Sequence, residues 1–413
     1  MPARRDRALA MVLAGGVGAR LMPLTRDRAK PAVPFGGRYR LIDFALSNLV
    51  NGGYRRIVVL TQYKSDSLNR HVSLTWRMST LLGNYVTSVP AQMNLGERWF
   101  LGSADALLQN LNLVSDERPD HVLVFGADHI YRMDPSQMME QHRDTGAGVT
   151  IAAIRSPIQD APQLGVIQRG QTTRIEAFLE KPADPEPMAD DPNSVLASMG
   201  SYIFETSYLM DLLHEDATDD GSKHDIGGNL IPRAVETGSA HVYDFADNEV
   251  PGTYGLDRGY WRDVGTIDAY FEASMDLVQP EPVFNLYNRD WPIYTASDNS
   301  PPAKVVAVSG SRHHISNSIL SNGVILSGAD VDRSVLSRRV RVDQGASLEQ
   351  CILLAEVSVG RDSIIRRAVI DKNVEIPPGT RIGVDPERDR ARFHVSDSGV
   401  VVIGKRDVIS EPT

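Results

Sequence analysis

The 413 residues carry 43 Lys and Arg against 53 Asp and Glu, and the net charge of −10 speaks against a nucleic-acid partner, which asks for a basic face. A composition of 42% hydrophobic and 23% charged residues is that of a globular chain, long enough for two or three domains with their own cores. The single cysteine, Cys351, excludes an intrachain disulfide, and no apolar run reaches bilayer length. The basic start, Met1 to Arg7, lacks the apolar core and cleavage site of a secretion signal, so a cytoplasmic protein with no membrane partner is expected.

The first predicted element is a buried strand over Ala8 to Ala14, an unbroken apolar run. Gly15, Gly16 and Gly18 follow it, and three glycines in four positions let backbone N–H groups crowd round a bulky anion. Arg20 and Lys30 stand at the loop's end and beyond it, adding the full positive charges that a polyphosphate needs. A P-loop requires Lys and Ser or Thr after the glycines, and none is there. The dinucleotide fingerprint requires a small residue where Leu21 stands. A plain turn after a first strand would leave Arg20 and Lys30 as solvated charges.

Farther along, Arg56 to Thr61 and His121 to Phe125 read as short strands of the kind covered on both faces. Ser103 to Val114 has helical spacing, Pro135 to Thr145 reads as a helix closed by Gly146, and Val149 to Ile154 as a further strand. This alternation predicts a three-layer, Rossmann-like α/β domain with a mostly parallel sheet. Ligands of such sheets lie beyond the carboxyl ends of the strands, the edge that carries both the glycine loop and Gly126-Ala127-Asp128.

Pro280, Pro282, Pro292, Pro301 and Pro302 mark a linker over 281–304 between a first domain, 1–280, and a second, 305–413. In the second domain Gly328-x-x-Val331, Gly345-x-x-Leu348, Asp362-x-x-Ile365 and Gly379-x-x-Ile382 recur every 17 residues. A second track, Ile319, Val335, Cys351 and Val369, recurs at 16, 16 and 18, with β-branched pairs such as Val340/Val342 inside each period. Short paired strands, three per repeat, predict a left-handed parallel β-helix of about four coils, with Cys351 on an inward track as a small core residue. The regular phase makes a β-sandwich the weaker reading. His313-His314 is no metal pair, because neighbours on a strand point apart.

The segment from Val12 to Val33 resembles the opening of the sugar-1-phosphate nucleotidylyltransferases. The blocks at Pro34–Asn51, Pro90–Gln92, Gly102–Ala106, Phe125–Asp134, Phe178–Pro185, Leu196–Gly200 and Tyr260–Thr266 resemble, in order, the bacterial glucose-1-phosphate adenylyltransferases. The resemblance implies a nucleotidyltransferase domain that joins ATP and glucose 1-phosphate into ADP-glucose and pyrophosphate for glycogen synthesis. A regulatory and oligomerising β-helix, a homotetramer and small phosphorylated effectors are implied with it.

By that resemblance Arg20 and Lys30 hold the β- and γ-phosphates, and Asp128 and Asp263 bind Mg²⁺ and the reacting groups. Lys181 takes the phosphate of glucose 1-phosphate and Glu180 the sugar hydroxyls, with Gly165, Ser198, Trp261 and Phe100 lining the same pocket. Leu13, Ala14, Gly15 and Gly16 line the nucleotide, Gln92 offers an amide to the base, and Gly102, Ser103 and Asp105 form a nucleotide-contacting turn. Taken alone, Glu180-Lys181 reads as an exposed pair at a strand end, and an Asp after a strand as a turn former. His129 reads as structural, since a phosphate oxygen needs no general base to attack.

Departures from the family pattern matter as much. Phe100 keeps the ring but lacks the hydroxyl of the Tyr often found there. Asp27, Pro34 and Asp116 replace basic residues or histidine of effector-regulated members, whereas Arg28 and Arg40 match effector positions. A different phosphorylated effector, or weaker regulation, is the expectation. Among the β-helix arginines Arg338, Arg339, Arg341, Arg361, Arg366 and Arg367, some would add anion contacts and most would be solvated. Other nucleotides (UTP, dTTP or GTP), another sugar, and a non-catalytic sugar-nucleotide-binding subunit stay open on the sequence. An added acetyltransferase on the β-helix does not fit, for want of coils and of a catalytic histidine.

Overall fold

The computed structural model describes residues 7–92, 94, 98–308 and 313–409, so the basic start lies outside the described residues up to Asp6. In the first domain, β1 (Ala8–Ala14) leads through the glycine loop to α1 (Leu41–Asn51), β2 (Arg56–Thr61), α2 (Asp66–Thr75) and β3 (Tyr85–Pro90). Next come α3 (Ser103–Leu108), α4 (Leu111–Glu117), β4 (His121–Gly126), β5 (His129–Tyr131), α5 (Pro135–Thr145) and β6 (Val149–Pro157). The chain continues through β7 (Gly165–Arg169), β8 (Ile175–Glu180), β9 (Ser194–Glu205), α6 (Thr206–Ala217), α7 (Ile231–Glu236), β10 (Ala240–Asp244), β11 (Trp261–Asp263) and α8 (Ile267–Asp276).

The main sheet runs β8-β7-β9-β4-β1-β2-β3, with β6 pairing β9 and β10 pairing β6. Strands β4, β1, β2 and β3 are parallel, as are β6 and β10, and the long β9 is antiparallel to its neighbours. Alternate residues of β1 serve opposite faces: Leu9 and Met11 pack with α3, α6 and α7, while Ala10, Val12 and Ala14 pack with α1, α2 and α5. An apolar strand with no polar face stays buried only between two helical layers, which gives the expected three-layer domain.

The expected helix over Ser103 to Val114 is two helices. The side chain of Asn110 donates to the Ala106 carbonyl at 2.8 Å, the acceptor that its own backbone N–H would use in a continuous helix, and that N–H turns to Leu107. Helix α5 ends as read, with Gly146 left-handed at its C-terminus and Asp134 capping its start through Ser136 N–H.

The linker holds no helix or strand between Leu277 and Ala303, yet Phe284, Trp291 and Ile293 are buried against the first domain. The second domain is the left-handed parallel β-helix. Val331, Leu348, Ile365 and Ile382 stack as direct partners, one per coil, 17 residues apart. The second track needs correction. The pairing runs Ile319–Val335–Ile352–Val369–Val402, so Ile352 and not Cys351 belongs to it. Gln350 takes φ 53, and from there Cys351 points into the coil interior while Ile352 points out. This outward ladder meets Phe35, Phe44, Ile267, Tyr270 and Phe271 in one apolar cluster, which joins the two domains. A short helix, Pro386–Arg392, is inserted before the last rung. No helix among the described residues is long and apolar enough to cross a membrane.

Candidate active site

Gly18 ends the glycine loop at φ 64, and a Cβ there would lie 3.0 Å from the Cβ of Lys30, so only glycine lets the two segments close up. Thr25 fastens the turn by donating to the Gly18 carbonyl at 2.8 Å. Arg20 rides on the helical turn Ala19–Leu21 and reaches Gln163, in the segment before β7, at 3.3 Å. Lys30 begins a second turn, Lys30–Ala32, and is buried.

Asp128 follows β4 at the carboxyl edge of the sheet. Asp263 comes from β11, which pairs antiparallel with β5 so that Asp263 stands opposite His129. The ribbon thus carries a carboxylate 135 positions away in sequence to the side of Asp128. Lys30 Nζ lies 2.7 Å from Asp128 Oδ2 and 3.1 Å from Asp263 Oδ1. Burial works to raise the Asp128 pKa, but the Lys30 charge, His129 and the Lys30 hydrogen bond outweigh it, and the group falls to about 2. Burial likewise works against the Lys30 ammonium, and the two carboxylates more than offset it, holding its pKa above the ordinary value.

Gly265 completes the centre. A Cβ there would meet Asp263 Oδ2 at 2.9 Å and Arg20 Nη2 at 3.1 Å, so the glycine makes room for guanidinium beside carboxylate. Together Leu13, Ala14, Gly16, Gly18, Arg20, Lys30, Asp128 and Gly265 line a cavity of about 280 Å³. Asp128, His129 and Asp263 each offer one ligand atom within 4.8 Å of the others. Two carboxylates at an open cavity fit a hard divalent ion that takes its remaining ligands from phosphate oxygens. The His129 ring lies 4.9 Å from that of Trp261, with Nε2 3.7 Å from Asp128 Oδ1.

Gly165, Glu180 and Lys181, three of the residues expected to hold the sugar, come together at the β7–β8 hairpin. Gly165 and Glu180 are partners in the β7–β8 hairpin, and the Glu180 carboxylate is ion-paired with Lys181. Lys181 adopts φ 51, and its N–H bonds the Leu164 carbonyl, next to Gln163 that holds Arg20. Ser198 precedes the bend of β9 and accepts from Gly200 N–H at 3.3 Å.

The expected nucleotide turn is braced from behind. Gly102 lies flat against the His224 carbonyl, and Ser103 Oγ donates to Asp225 at 2.9 Å while accepting from Ile226 N–H. Asp105 is buried, and its carboxylate is occupied by Leu101 N–H, Arg98 and Gln109. It therefore orders the turn from behind. Gln62 accepts from Phe100 N–H at 2.6 Å, and the Gln92 amide donates to the Pro90 carbonyl at the end of β3. Gln62, Gln163, Asp225 and Gly265 escaped the sequence reading. Only the glycine pair after Asp225 and the Gly265 in its block carried any signal.

The two expected effector residues lie elsewhere, at the seam of the domains. Arg28 is buried and donates to both oxygens of Asp371 at 2.8 Å, with Nη1 left without a partner. Arg40 donates to the Ser67 carbonyl at 2.7 Å; burial, with Arg28 and Arg338 nearby, lowers its pKa to about 10. Burial together with Arg28, Lys405 and Arg40 lowers Lys372 as well. With Arg70 and Lys405 these cations line a cleft of about 530 Å³, which Asp27 and Asp66 also line, leaving cations in excess. Of the β-helix arginines only Arg338 lines it; Arg367, for instance, stacks on Phe271.

Comparison with known proteins shows the family. Residues 9–280 match the nucleotidyl transferase family, and residues 301–403 match the GlmU-like C-terminal hexapeptide family. The chain is 60% identical over 408 residues to the glucose-1-phosphate adenylyltransferase of Frankia casuarinae, covering 98% of this chain and 99% of that one. It is 59% identical to that of Acidothermus cellulolyticus and 56% to that of Corynebacterium jeikeium, each over 98% of this chain and 99% of the relative. Fold and site define a nucleotidyl transferase. Within that class the chain belongs to the family of glucose-1-phosphate adenylyltransferases.

Proposed function

We propose that the protein transfers the adenylyl group of ATP to glucose 1-phosphate, giving ADP-glucose and pyrophosphate, in the cytoplasm and as the step that commits glucose to glycogen. The observation that carries this reading is the convergence of Arg20, Lys30 and Asp128 on one cavity behind the glycine loop, with Asp263 paired to Lys30 at its edge. A phosphate oxygen of glucose 1-phosphate attacks the α-phosphorus in line, and the bond to the β-phosphate oxygen breaks. No proton is moved, so His129 has no basic role. What the site must supply is neutral charge and alignment for two polyanions.

Arg20 and Lys30 take the departing pyrophosphate. A cation about 4 Å from a phosphate oxygen is worth roughly 4 kcal/mol at an effective dielectric near 20. The glycine loop, with Leu13, Ala14, Gly15 and Gly16, offers close backbone approach, and Gln92 and the Gly102–Asp105 turn hold base and ribose. Lys181 holds the sugar phosphate, while Glu180, Gly165, Ser198, Trp261 and Phe100 hold the glucose. Magnesium held by Asp128 and Asp263 supplies further charge neutralisation at the reacting phosphates.

The basic cleft of Arg28, Arg40, Arg338 and Lys372 receives a phosphorylated effector, and the assembled enzyme is a homotetramer, to be checked by light scattering. The deciding test of the reaction is pyrophosphate release from four nucleoside triphosphates against several sugar 1-phosphates. ATP with glucose 1-phosphate is expected to stand clear of the others. Equal turnover with UTP overturns the nucleotide assignment.

A further inference from the structure

Lys30 lines the cavity, but its charge is already engaged there. Its ammonium sits between the two carboxylates, 2.7 Å from one and 3.1 Å from the other. That is where an ion shared by Asp128 and Asp263 would draw its ligands, since their oxygens and His129 already fall within 4.8 Å of one another. The lysine is short of water as well, with 10% of its side chain exposed against about a third for each aspartate. Its stem is held by the close packing of Gly18 on its Cβ. A flexible four-carbon arm fixed at its base can swing its charge a few ångströms without moving the backbone.

We infer that Lys30 is a tethered counter-ion that fills the metal's place between Asp128 and Asp263 until a polyphosphate draws it away. The inference rests on the reading of those two carboxylates as the metal ligands. Lys30 already engages Asp128 Oδ2 and Asp263 Oδ1, so a divalent ion seeking these same oxygens competes with the ammonium for them. In the free protein the displaced lysine has no other acid to go to among its described partners, which makes metal binding weak. When a triphosphate occupies the cavity, its β- and γ-oxygens accept the ammonium, and the carboxylates are released to the metal. Lys30 thereby has two stations, and its departure from the first delivers charge to the leaving group at the second.

The experiment measures Mn²⁺ binding to the full-length protein without nucleotide, by the loss of the free-ion paramagnetic resonance signal. Lys30→Met is expected to bind Mn²⁺ at least about tenfold more tightly than the parent, because removal of the competing charge leaves both carboxylates vacant. In the double variant Lys30→Met with Asp263→Asn the gain is expected to vanish. A Lys30→Met protein that binds no tighter, or a gain that survives Asp263→Asn, overturns the inference. Because Lys30→Met leaves two carboxylates unpaired and risks misfolding, a second measurement uses the parent protein. Acylation of Lys30, followed by peptide mass spectrometry, is expected to speed up at saturating Mn²⁺ as the ammonium leaves its ion pairs. Unchanged reactivity counts against displacement. Failure of the underlying metal reading looks different: Asp263→Asn then leaves the magnesium dependence of pyrophosphate release untouched.

Discussion

Asp263 stands directly across from His129 in the two-stranded ribbon of β5 and β11, and this single register sets it beside Asp128. The ribbon is only three residues long on each side, and Lys30, paired to both carboxylates, ties them together from the glycine-loop side. For Asp128→Asn we expect turnover to fall by about two to three orders of magnitude, as for loss of a preorganised electrostatic group, with the folded state retained. Steady-state pyrophosphate release and thermal melting check the two halves. The pH dependence has a definite sign. The folded-state pKa of Asp128, about 2, lies below that of the unfolded chain. Its pairing therefore stabilises the protein above pH ~4 and is lost as the pH falls toward 2. Between those values the stability of Asp128→Asn is expected to decline less steeply than that of the parent.

Gly265→Ala tests the closeness of Arg20 to Asp263. The new methyl meets Asp263 Oδ2 at 2.9 Å and Arg20 Nη2 at 3.1 Å, so one of the two groups must move. A displacement of this size at aligned groups costs about a hundredfold in rate. The loss is expected in kcat more than in the KM for glucose 1-phosphate, which we propose binds at Glu180 and Lys181.

Arg40→Ala is expected to flatten the response to a panel of phosphorylated sugars and acids while the reaction without effector continues at its ordinary rate. Arg40 lines the seam cleft and is not among the residues that line the 280 Å³ cavity. An unaltered activation curve would remove it from the effector site.

The Arg28–Asp371 pair should behave differently from its neighbours, since both side chains are at most 4% exposed. Asp371→Ala strands a buried guanidinium already crowded by cations, and breaking such a pair costs about 3–5 kcal/mol. Urea unfolding is the measurement, and a loss under about 1 kcal/mol would mean that water or an anion reaches Arg28.

Ile352→Ala probes the ladder that fastens the β-helix to the first domain. Truncation of a well-packed isoleucine costs about 2–5 kcal/mol. Because Ile352 faces α8 and not the coil interior, the loss is expected to appear as earlier separation of the domains in a two-step unfolding curve. Cys351, one position earlier, faces inward with its thiol pushed up to about 12 by burial, and is expected to resist thiol reagents until the β-helix itself unfolds.

The sequence by itself determined the layers and the repeats. An apolar run such as Ala8–Ala14 has no polar face to offer water, so it demands cover on both sides, and a 17-residue phase leaves little choice but stacked coils. Local chemistry also announced the glycine loop, with Arg20 and Lys30 beside it. Only the tertiary structure decided which way Cys351 and Ile352 point, because the left-handed turn at Gln350 resets the alternation just before them. It alone turned Asp105 into a brace and joined Arg28 to Asp371, 343 positions away, since long-range partners leave no trace in spacing. The contact of Lys30 with Asp128 and Asp263 is of the same kind: residue types foretell charges, but which charges meet depends on how strands from distant parts of the chain pair.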